Sequence, residues 1–190
     1  MALLADSPEL TEHDSIFPDI EGQFITISRI PTPLGAMMAG ATDEGICLLA
    51  FADGKMLKNK MDGLKKRMKA ELVTGQHPLI DLVNSQLNEY FEGKRKVFNV
   101  PLVIPGTAFQ QKVWNALIKI PFGITRSYKQ QATAVGNTKA VRAVARANGE
   151  NRIAIVIPCH RIIGSDGSIV GYGGGVQRKQ WLLKHEFEHQ

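Results

Sequence analysis

"SYKQQATAVGNTKAVRAVARANG", residues 127–149, decides how this chain is built. Ser127 and Asn137 are candidate helix caps and Gly136 stands between them, so the stretch reads as two short helices around a three-residue turn. That is the pattern of a helix-turn-helix. Taken alone the motif says little, because helical corners are frequent in domains that never meet DNA. Composition sharpens it. Ala140, Ala143, Ala145 and Ala147 stand beside Lys139, Arg142 and Arg146. Small side chains let a backbone approach a large ligand, and the cations suit phosphate.

Upstream, "TAFQQKVWNALIKI" (107–120) opens at a capping threonine and sets Phe109, Val113, Trp114, Leu117 and Ile120 on one helical face. "KVFNVPLVIPGT" (96–107) has two prolines and reads as an extended connection. Before it, "HPLIDLVNSQLNEYFEGKR" (77–95) is an amphipathic helix carrying Leu79, Leu82, Val83, Leu87, Tyr90 and Phe91, stopped at Gly93. "MLKNKMDGLKKRMKAEL" (56–72) is a second helix with a lysine-rich outer face. "GQFITISRI" (22–30) alternates as a strand does, and "TPLGAMMAGATDEGICLLAF" (32–51) supplies two more around the turn "TDEG". Cys47 falls inside the last of these as a small core residue. The expected fold class is therefore α/β: a small domain of antiparallel sheet and helices over 22–100, then a mainly helical domain over 101–190. Residues 1–21 hold six acidic residues, two prolines and no Lys or Arg, an acidic leader rather than an ordered element.

At 190 residues, with 44% hydrophobic and 22% charged residues, the composition is that of a globular protein and not of a disordered or fibrous one. No apolar run reaches the roughly 20 residues of a membrane span, and no secretory signal is visible. Cys47 and Cys159 lie far apart without metal spacing, so we read both thiols as free and the chain as cytoplasmic. The net charge of +5 hides an asymmetry. Residues 1–104 carry 11 Lys and Arg against 14 Asp and Glu, whereas residues 105–190 carry 12 against 4. A basic half points to a polyanion, nucleic acid first, with a merely solvated basic domain as the alternative.

Downstream, "IAIVIPCHRIIG" (153–164) delivers Cys159 from an apolar run, behind a proline and ahead of His160 and Arg161. A sulfur attacks as thiolate, and both neighbours would favour that form. A buried inert cysteine is the competing reading. A zinc deaminase needs a second cysteine in P-C-x-x-C, which residues 160–165 lack. A cysteine hydrolase needs an oriented base and an acyl-binding loop, and none of its local signatures is present.

"IPCHR", with "RSYKQQA" and "AVRAVARANGEN" before it and "GYGGGVQRKQWLLKHE" after it, resembles the O6-alkylguanine-DNA alkyltransferases. The likeness is strongest to the alkyltransferase part of bacterial bifunctional adaptive-response proteins, dense over 107–186 and looser over 24–100. It implies a ribonuclease-H-like first domain and a suicidal repair reaction on O6-alkylguanine in double-stranded DNA, and leaves O4-alkylthymine open as a further substrate. The chain would act as a monomer, without metal or cofactor. Some relatives hold a structural zinc in the first domain, but their ligand cysteines have no counterpart here.

By the same resemblance Cys159 is the acceptor, His160 the base and Glu186 the carboxylate that orients it. Asn151 braces the turn. Tyr128 rotates the nucleotide and gives a proton towards guanine N3, and Arg142 fills the emptied stack. Lys129, Asn137 and Ser165 contact the DNA backbone. Tyr172 and Gly173 line the alkyl pocket with the main chain of 169–171, and "GGG" (173–175) lets the chain come close to the base and leaves room for adducts larger than methyl. Two alternatives of other classes stand beside this reading: a lesion-binding alkyltransferase-like module, which lacks the acceptor cysteine, and a regulatory module left from a longer protein.

Overall fold

The computed structural model describes residues 23–190, so the acidic leader lies outside the described residues. Alternation in "QFITISRI" makes β1 (Gln23–Ile30), which pairs antiparallel with β2 (Met37–Thr42), Ile30 opposite Met37. A turn at Asp43 and Glu44 returns the chain as β3 (Gly45–Phe51), antiparallel to β2 with an irregularity at Gly40/Ala41. The helix read over 56–72 ends early. It is α1 (Leu57–Met68), closed by Lys69 in the left-handed conformation (φ 50°). The rest, "AELVT", is β4 (Ala70–Thr74), parallel to β1, Gln23 opposite Ala70. The sheet, in order β3-β2-β1-β4, is therefore mixed, not wholly antiparallel. The helix between β3 and β4 supplies the long crossover that a parallel neighbour requires.

All seven residues of β3 are buried although it ends the sheet order. The connection and a later segment explain this. Ile46 N–H donates to Pro101 O (2.9 Å) and Val103 N–H to Ile46 O (2.9 Å). Leu49 N–H donates to Arg152 O (2.8 Å) and Ala154 N–H to Leu49 O (2.7 Å). Both segments run along the open edge as short parallel bridges, which satisfies its amides and fastens the second half to the first.

α2 (Pro78–Phe91) starts at His77, whose Nδ1 accepts from Leu79 N–H. Its buried face runs Ile80, Val83, Leu87, Tyr90, at helical spacing, while Leu82 stays 39% exposed, against expectation. α3 (Ala108–Ile118) is opened by a reciprocal cap between Thr107 and Gln110, and buries Val113, Trp114 and Leu117. Phe109, at its first turn, stays 36% exposed. A two-residue strand, β5 (Arg126–Ser127), pairs with β6 (Ile162–Ile163). Ser127 then caps α4 (Tyr128–Ala134) through Gln130. α5 (Val141–Gly149) follows a six-residue turn rather than three. Asn137 does not cap it; its side chain accepts from Lys139 N–H and shapes the turn instead.

Two reciprocal amide bonds lock α4 to α5: Gln131 Nε2 to Asn148 Oδ1 (3.0 Å) and Asn148 Nδ2 to Gln131 Oε1 (2.7 Å). Trp114 Nε1 donates to Ala147 O (2.8 Å), tying α3 to α5. The last helix, α6 (Val176–Glu188), packs Leu182 into the main core. That core joins one face of the sheet, α2 and the helices of the second half, while α1 covers the other face, its Leu64 clustering with Ile25 and Leu48. Cys47 is in this smaller cluster, and burial pushes its thiol up to about 12. It is core, as read.

Candidate active site

The main chain from Asn151 to Arg161 folds into a tight loop, tied to β3 at Arg152 and Ala154. Ile155, buried and β-branched, takes φ 71°, a conformation costing about 1–2 kcal/mol that its surroundings must impose. Asn151 is the brace. Its Oδ1 accepts from Ile153 N–H (2.9 Å), and its Nδ2 donates to Ile157 O (2.9 Å) and to Cys159 Sγ (3.2 Å). Cys159 then opens a single 3-10 turn, Cys159–Arg161, behind Pro158.

Both basic neighbours of Cys159 turn to Glu186. This fully buried carboxylate accepts from His160 Nε2 (2.7 Å), Arg161 Nε (2.8 Å) and Nη2 (3.0 Å), Tyr90 OH (2.9 Å) and Gly123 N–H (3.0 Å). The His160 and Arg161 bonds hold it far below the ordinary carboxylate range, overcoming desolvation. Arg161 Nη1 is taken by Ile120 O (2.6 Å), so its charge serves the carboxylate and not the sulfur.

His160 is fully buried, and burial lowers its pKa despite the Glu186 contact, so the ring rests neutral. With a carboxylate on Nε2, the proton belongs there, and Nδ1 keeps its lone pair. Nδ1 is buried and has no hydrogen-bond partner among the described residues. That is a base waiting for a proton. Burial likewise pushes the Cys159 thiol up, opposed by the Asn151 hydrogen bond and by the charges of Lys60 and Lys179. The resting group is a thiol, not the thiolate that adjacency to His and Arg suggested.

Cys159 lines an open cavity of about 520 Å³, with Tyr128, Asn148, Gly171, Tyr172 and Gly173 among its walls, a volume suited to a small ligand. Tyr128, at the first turn of α4, donates to Val170 O (3.3 Å). Tyr172 sets its ring edge-on to His160 (6.5 Å), and its buried hydroxyl has no partner among the described residues. Gly171 has φ 58°, and a Cβ there would lie 3.4 Å from the Tyr128 hydroxyl. The glycine run is needed for a different reason at Gly174, where a Cβ would sit 2.6 Å from the Phe51 ring. The chain comes close to β3 at that point, while Gly173 faces the cavity.

Arg142, Lys129, Asn137 and Ser165 are all exposed and lie outside the cavity lining; Arg146, one turn beyond Arg142, stands at its wall. Three participants, Tyr90, Lys179 and Lys60, were missed from the sequence, and Arg161 was read in another role. Tyr90 and Arg161 hold Glu186. Lys179, fully buried, donates to Ile162 O (2.5 Å), Val170 O (2.7 Å) and Gly171 O (3.3 Å), tying the pocket loop to β6. Lys60 reaches Asn151 O (2.5 Å) from α1. Only the placement of Arg161 beside Cys159 offered a signal.

Two family models divide the chain between them. One, described as the ribonuclease-like domain of 6-O-methylguanine DNA methyltransferase, matches residues 25–104; the other, its DNA binding domain, matches 108–188. A methylated-DNA–protein-cysteine methyltransferase of Methanosarcina barkeri is 40% identical over 157 residues, 83% of this chain and 94% of its own. That of Mycobacterium tuberculosis is 54% identical over 101 residues, 53% of this chain and 61% of its own. The crystal structure of the M. tuberculosis O6-methylguanine methyltransferase matches with a TM-score of 0.74 at 36% identity, covering 87% of this chain and 94% of that one. The same organism's OGT in complex with DNA matches at 0.73 and 37% identity, with the same coverage. Sheet, helical half and cysteine turn are thus matched together along one chain, which belongs to the 6-O-methylguanine-DNA methyltransferase family.

Proposed function

We propose that this chain repairs DNA by direct reversal, taking a methyl or larger alkyl group from guanine O6 in duplex DNA onto Cys159, once per molecule. The observation that carries the reading is a thiol on the wall of an open cavity, backed by a neutral histidine whose other nitrogen is bound to a carboxylate. The Cys159 proton passes to the His160 side, where Glu186 stabilises the imidazolium that forms. Sulfur bonds to the alkyl carbon as its bond to O6 breaks. Tyr128 gives its proton to guanine N3, so the base leaves neutral. A thioether offers water no easy exit, so the protein is consumed.

The base must leave the stack to reach the cavity, at a cost of a few kcal/mol. Arg142 fits the role of filling the gap, with Lys129, Asn137 and Ser165 on the backbone, in the minor groove. The supports are their exposure and the net +8 of residues 105–190. We read residues 22–100 as the supporting domain, residues 101–190 as the one that binds and reacts, and the working unit as a monomer. Intact-mass measurement after mixing with an O6-methylguanine duplex tests the core of this. One added methyl per chain, located on Cys159, is expected, with Cys159→Ala binding the duplex but gaining nothing. An unchanged mass, or many turnovers per molecule, refutes it.

A further inference from the structure

We propose that Lys60 is a positioning residue for transfer at Cys159: from the sheet-bearing half, its ammonium fastens the Asn151 main chain and sets positive charge behind the pocket wall. The inference rests on the function proposed above, since the step it assists is alkyl transfer to that sulfur. Lys60 Nζ donates to Asn151 O at 2.5 Å, across 91 residues of sequence. The same nitrogen lies 3.6 Å from the point a Cβ on Gly173 would occupy. It therefore stands directly behind a residue of the cavity wall and on the residue whose side chain holds Sγ.

Two other lysines of α1 behave differently. Lys58 faces Asp62 (3.9 Å) and Lys65 faces Glu71 (2.7 Å), whereas no carboxylate of the described residues forms an ion pair with Lys60. A half-buried ammonium on one carbonyl, unneutralised, is costly to keep, and it is stabilised by whatever negative charge appears nearby. The charge that appears is the thiolate. The attraction is mutual: burial lowers the Lys60 pKa and the sulfur raises it, while Lys60 pulls the thiol down.

Other groups face the same sulfur. Lys179 comes from α6 but is committed to three carbonyls. Tyr128 from α4 and Tyr172 from the pocket loop are neutral, their hydroxyls pushed up first by burial and then by the sulfur's charge. His160 adjoins it with Glu186 behind, and Arg152 opposes Lys60 by repulsion. Lys60 is the member of this set contributed by the sheet half, which makes that half a participant in the chemistry.

The test uses the full chain with Lys60→Met, which keeps much of the stem and removes the charge, and Lys60→Arg, which keeps the charge. Lys60→Gln serves where Met prevents folding. Two rates are followed against pH: alkylation of Cys159 by iodoacetamide, read by peptide mass, and single-turnover transfer from an O6-methylguanine duplex. Lys60→Met is expected to move both midpoints upward by up to about one pH unit and to slow both reactions roughly three- to tenfold near pH 7. Lys60→Arg should recover most of that loss. An unshifted midpoint in Lys60→Met overturns the proposal even if the rate falls at every pH, and so does a Lys60→Arg chain as slow as Lys60→Met. If the duplex arm is silent in the unsubstituted chain, the repair function fails, while the iodoacetamide arm still judges Lys60.

Discussion

Glu186→Gln isolates what the buried carboxylate does, because it keeps the shape and removes the charge. Five donors converge on Glu186, three of them from His160 and Arg161. An amide can accept at one oxygen only, and its NH₂ would meet donors on the other side. The Arg161 guanidinium, nearly wholly buried, would lose its counter-ion. Breaking a buried pair by removing one partner costs about 3–5 kcal/mol. For a chain of this size that is a fall in Tm of roughly 6–20 °C. Thermal unfolding at pH 7, followed by near-UV circular dichroism, reads it directly. A Glu186→Gln chain within about 1 kcal/mol of the parent would refute the view that this carboxylate is ionised and structurally essential.

The same geometry fixes the sign of the acid response. Glu186 has its folded pKa depressed, so its stabilisation is complete above the unfolded value near pH 4.3 and is lost as pH falls through the folded one. His160, also depressed, adds an earlier loss: below about pH 6.5 the unfolded chain takes a proton that the folded ring refuses. Denaturant midpoints measured from about pH 8 to about pH 2 should fall first with His160 and then with Glu186, and the lower limb should flatten in Glu186→Gln. Asn151→Ala removes the brace of a strained loop, leaves Ile153 N–H unpaired and leaves Ile157 O with Cys159 N–H as its donor, for a loss of about 1–3 kcal/mol. The Cys159 thiol should also rise, which the pH profile of iodoacetamide alkylation would register. Arg142→Ala should slow transfer from duplex by about tenfold or more, the scale of a few kcal/mol of unpairing, yet leave reaction with free O6-benzylguanine unchanged. Equal losses on both substrates would place Arg142 elsewhere in the mechanism.

What the sequence disclosed is local. The caps at Thr107 and Ser127 were legible because a side chain and the amides it satisfies lie within three residues. The apolar run of β3 and the amphipathic α2 were legible from period. β4 was not, because five strand residues follow α1 after one left-handed lysine, and the lysine-rich pattern runs across the break. The site divides the same way. Cys159, His160 and Arg161 announced themselves by adjacency, but adjacency misdirected the electrostatics, since the neutral His160 ring and the Arg161 guanidinium both bond to Glu186. Glu186 and Asn151 were reached through resemblance alone. Tyr90, 96 residues from the carboxylate it binds, and Lys60, 91 from its carbonyl, had no local trace, since only the folded chain brings them near.

The sealed edge of β3 bears on any attempt to dissect this molecule. Its amides are answered by residues 101–103 and 152–154, both outside the first hundred residues. A fragment cut at residue 100 would carry the sheet with a seven-residue apolar border stripped of its hydrogen-bond donors and acceptors, a ready template for strand-to-strand stacking. Expressed by itself, such a piece should clump, and adding the missing half in trans should rescue its solubility.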